Sequence, residues 1–71
     1  MKHYTVLDLV NTFQKAISEN PSYGEKFVAL SSDAEGNSYA FLDSLGAEDK
    51  VVVLWPKHEY LDSDELLAEC L

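Results

Sequence analysis

The chain has 71 residues, enough for one small domain, and carries 13 Asp and Glu against five Lys, a formal charge of −8 with no Arg. Lysines scattered at 2, 15, 26, 50 and 57 cannot neutralise a run of phosphates, so direct nucleic-acid binding is excluded and an anionic membrane surface is disfavoured. The one cysteine, Cys70, rules out an internal disulfide, and the longest apolar run, residues 51–55, is far short of the about 20 residues of a membrane span.

Residues 5–19 read as an amphipathic helix, because Val6, Leu9, Val10, Phe13, Ala16 and Ile17 recur at helical spacing. Thr5 and Asp8 have the spacing of a capping box, and Tyr4 and Leu9 that of a hydrophobic staple. Asn20 is suited to a left-handed cap, and Pro21 cannot continue the helix. Residues 21–24 (Pro-Ser-Tyr-Gly) read as a turn.

Residues 26–31 are predicted as a short strand, 32–37 as a turn and 38–42 as a second strand, which together make a hairpin. In that turn Gly36 and Asn37 tolerate positive φ, and Asp33 can cap through its side chain. Residues 43–49 read as a loop and 50–55 as the strongest strand, ended by Pro56. Residues 57–61 read as irregular, after which Asp62 and Glu65 open a short helix with Leu66, Leu67 and Cys70 on its apolar side. The expectation is a single α+β domain over 1–71, in the order α-β-β-β-α. Its sheet is three-stranded and mainly antiparallel, with the first helix packed on one face and a short helix at the C-terminal end.

Chemistry is thinly represented. Asp33, Glu35 and Asn37 begin a calcium-loop pattern, but no acid stands at the twelfth position, Ser44. His3, His58 and Cys70 lack the paired spacing of a zinc site. The glycines at 24, 36 and 46 are isolated, so no phosphate loop exists, and there is no Gly-x-Ser-x-Gly elbow. Cys70 has the acidic neighbour Glu69, the wrong setting for a thiolate nucleophile. The reading is a protein without enzymatic activity, cofactor or metal, located in the cytoplasm.

Binding is better represented. From Asp43 onward eight acids face two lysines, −6, whereas the first 42 residues carry −2. Helix-dipole complementarity accounts for Asp62, Asp64 and Glu65 but not for Glu48, Asp49 and Glu59. The segment 55–61 (Trp-Pro-Lys-His-Glu-Tyr-Leu) is aromatic and rimmed by charge, as binding hot spots are. Trp55, His58, Glu59, Tyr60, Asp62, Asp64, Glu65 and Glu69 are therefore the candidate partner-binding residues, and Asp33, Gly36 and Asn37 are structural turn residues. Trp55 and Tyr60 could equally close the core against the last helix.

Thr5-Val6-x-Asp8-Leu9-Val10, Glu19-Asn20-Pro21-x-Tyr23-Gly24, the stretch from Leu30 through Ser31-Ser32-Asp33-Ala34-Glu35-Gly36-Asn37-Ser38 to Tyr39, and the Val-rich strand ending Trp55-Pro56 resemble a group of small, acidic, uncharacterised phage-encoded proteins. The resemblance covers residues 5–56. It implies an accessory protein acting in the bacterial host cytoplasm, and it carries no activity with it. The primary expectation is that the chain binds and modulates a host protein with a basic surface. Two alternatives stand beside it: an acidic DNA mimic occupying a DNA-binding enzyme, and a self-associating structural protein that dimerises through strand 50–55.

Overall fold

A computed structural model describes residues 3–71. The α+β class, the element order and the antiparallel sheet are as expected. Helix α1 spans Val6–Glu19. Its start is the capping box: the Asp8 N–H donates to Thr5 Oγ1 at 3.1 Å, and the Thr5 N–H donates to Asp8 Oδ2 at 2.9 Å. Its end differs from expectation. Asn20 is extended, at φ −145° and ψ 95°, not left-handed. The cause is Pro21, whose ring pushes the preceding residue out of helical space. The chain then enters a 3-10 turn, Pro21–Glu25, against which α1 packs through Phe13 and Tyr23, with ring centroids 6.5 Å apart.

Strand β1 is short, Ala29–Ser31, and pairs with the start of β2, Tyr39–Ala47. The turn between them is organised by Asp33, whose carboxylate accepts from the Glu35 N–H, the Asn37 N–H and Asn37 Nδ2. Gly36 supplies the one positive φ among the described residues, +72°, so Asn37 does not use that conformation.

Residues 43–47 correct the sequence reading: they are strand, not loop. β2 runs on past β1 and pairs with β3, Val52–Pro56, from Leu42↔Pro56 to Ala47↔Val52. The link is a two-residue turn at Asp49 and Lys50, closed by the Glu48 N–H donating to Val51 O at 2.8 Å. Neither turn residue has positive φ, so it is not the Asn-Gly type of hairpin that sequence announces. A β-bulge lies between Leu42 and Ser44. Helix α2, Ser63–Glu69, follows a capping box made by Asp62 and Glu65, as predicted.

The sheet order β1-β2-β3 conceals a stagger: β1 pairs with residues 39–41 of β2, and β3 with residues 42–47. The distal part, 44–47 with 52–55, is therefore a two-stranded arm. α1 stands beside the β1 end, across a cleft lined by Phe13, Ile17, Tyr23 and Phe27, and does not close over the arm. Packing is sparse as a result. Among the described residues only Ala40 and Leu61 are buried, where the lead-in to α2 meets β2. The accessible surface is 6222 Å². A compact 8.0 kDa protein exposes about 4,450 Å². The radius of gyration is 13.6 Å, against about 11 Å for a compact chain of this length.

Candidate binding surface

The first candidate surface is the segment from Trp55 to α2. Trp55 lies opposite Ser44, with its indole against β2 at Gly46; a Cβ placed there would come within 2.9 Å of Nε1. That glycine lets the ring lie on the strand, as aromatic residues do beside glycine in sheets. Past Pro56 the chain is pinned to β2 at two points. The Lys57 N–H donates to Phe41 O at 2.9 Å, and Leu61 and Tyr39 exchange main-chain hydrogen bonds at 2.7 and 2.8 Å. Between those pins His58, Glu59 and Tyr60 are held out to solvent. Trp55 is 51% and Tyr60 53% exposed, so neither serves as a core plug.

The acids of this segment are not equivalent. The Glu65 N–H donates to Asp62 Oδ1 at 2.8 Å, and the Asp62 N–H donates to Glu65 Oε1 at 3.1 Å. Those two carboxylates hold the start of α2. Glu59, Asp64 and Glu69 are exposed and have no part in that cap. Glu69 also borders an open cleft of about 450 Å³ together with Lys26, Lys57 and an edge-to-face pair, Phe27 and Phe41, at 6.3 Å. Among the described residues no three of His, Cys, Asp and Glu stand close enough to hold a metal ion. None of the described helices is long and apolar enough to cross a membrane.

The second surface is apolar and was not predicted. Side chains alternate along a strand, and cross-strand partners share a face. By that rule Leu45, Ala47, Val52 and Leu54 lie on one face of the arm, and Trp55 and Val53 on the other. Leu42 and Leu45 are three apart and would normally oppose each other. The bulge at Asp43 inserts one residue and returns both to the same side, with Pro56. Leu45 is 66% and Val52 50% exposed. The stripe of α1 is open as well, with Leu9, Val10 and Ile17 each 41% exposed. Reading 43–49 as a loop hid the arm; the alternation of Leu42, Ser44, Leu45, Gly46 and Ala47 shows as a strand pattern only once the bulge is allowed for.

No protein-family model, no curated protein and no solved structure matches the chain.

Proposed function

We propose that this chain is a non-enzymatic accessory protein, of the kind phages encode, that binds a bacterial host protein through the segment 55–69. The exposure of Trp55 and Tyr60 carries the reading. Two aromatic side chains are held half out of water, on backbone pinned to β2, beside exposed carboxylates. Rigid aromatic anchors rimmed by charge are the usual composition of an interface hot spot. The charge selects a basic partner surface.

Capture from bacterial lysate by the tagged full chain tests this. Trp55→Ala and Tyr60→Ala should each abolish capture while the far-UV circular dichroism stays unchanged. Capture that survives both substitutions rejects the segment as the binding site.

The concentration of charge in residues 43–71, −6 of the −8, favours a second reading, an acidic DNA mimic. It predicts binding that weakens steeply with salt and is displaced by duplex DNA. Binding that is flat with salt and indifferent to DNA removes it.

A further inference from the structure

We propose that the arm and the α1 stripe are the two halves of a self-association surface: the helix of one copy covers the arm of a second, and reciprocally. The proposal uses a face other than the Trp55 face, so it stands apart from host binding.

Three observations carry it. First, a two-stranded hairpin is marginal in water, yet the arm is apolar on both faces and the only extensive contact of β3 is with β2. Second, each surface is what the other lacks. α1 is an amphipathic helix with no sheet beneath it, and the arm is a sheet face with no helix above it. Their lengths agree, about 21 Å for 14 helical residues and roughly 17–20 Å for the paired stretch of β2 and β3. The chain's own helix is not the occupant: its C-terminal end is fixed on the 3-10 turn through Phe13 and Tyr23, at the β1 end of the sheet.

Third, the area is right. The surface exceeds that of a compact chain of this mass by about 1,800 Å². Removing that excess from both copies buries about 3,500 Å², within the roughly 2,000–5,000 Å² of obligate homodimers. A second copy also suits the charge, since α1 carries only Asp8, Lys15 and Glu19 and the apolar arm residues carry none.

Sedimentation equilibrium of the full chain, from micromolar to submillimolar concentration, tests the proposal. The expected mass is twice 8.0 kDa. Two copies of charge −8 repel, so added salt should tighten the dimer, the opposite of its effect on attachment to a basic surface. Leu45→Glu and Val10→Glu alter side chains already exposed in the single chain, so the fold should survive each. Twofold symmetry counts each change twice, so a loss of about 30-fold per site weakens the dimer about 1,000-fold. Trp55→Ala should leave the dimer mass unchanged.

In a Cys70→Ser background, Val10→Cys mixed with Leu45→Cys should form a disulfide between the two proteins. This arm decides the matter if a charged variant fails to fold. A monomer throughout the concentration range overturns the proposal, and so does a dimer that survives both charges. Host capture through Trp55 by a monomer would leave the proposed function intact.

Discussion

Gly36 and Asp8 show how little of this chain rests on packing and how much on local hydrogen bonding. Gly36 holds φ +72°, and a Cβ there would lie 2.7 Å from the Tyr39 hydroxyl. Gly36→Ala should therefore destabilise the β1–β2 hairpin by about 1 kcal/mol or more, read as a lower urea midpoint. Asp8 accepts the Thr5 N–H and Oγ–H bonds that hold its pKa below the ordinary 3.8, the backbone bond being the larger cause. A carboxyl depressed in the folded state stabilises above its unfolded value, and that contribution disappears as pH falls through the folded value. Helicity should thus decline below about pH 4 in the native chain, and Asp8→Asn should flatten that acid limb in circular dichroism. Thr5→Ala should cost about 1 kcal/mol, because an orphan N–H of α1 loses its acceptor. All three features were legible in the sequence because each is decided within four residues. The exposure of Trp55 was not, since it depends on what lies across the sheet.

At the scale of elements, helices announced themselves and strands did not. α1 and α2 begin where their capping boxes place them, and a capping box is a four-residue signal. β2 was misread because its second half opens with a bulge, contains Gly46 and ends at Asp49 and Lys50, a turn with none of the glycine or asparagine that marks most tight hairpins. Alternation fails across a bulge, so a strand with an inserted Asp43 looks like a loop. Gly46 gives the arm a handle for measurement. In Gly46→Ala the new methyl would displace the Trp55 indole, which can swing away at a stability change under about 1 kcal/mol. Trp55 is the only tryptophan, so its emission should move to the red while the circular dichroism holds. An unchanged spectrum would mean that the ring does not lie on Gly46.

For the whole molecule the deciding quantity is surface. Folding as seen in one chain removes about 46% of what the extended chain exposes, against about 60% for a self-sufficient domain of this size. Disulfides or metals usually supply such a deficit, and this chain has one cysteine and, among its described residues, no cluster to hold a metal. A second copy supplies it without either. Association then becomes part of folding, and stability must depend on concentration. Each tenfold rise in protein adds about 1.4 kcal/mol to the folded dimer, which with an ordinary urea dependence moves the midpoint up by roughly half a molar or more. Leu45→Glu should erase that dependence and set the midpoint at the low value of the isolated chain. A native midpoint that stays fixed across two decades of concentration would show that a single chain bears its open apolar faces alone.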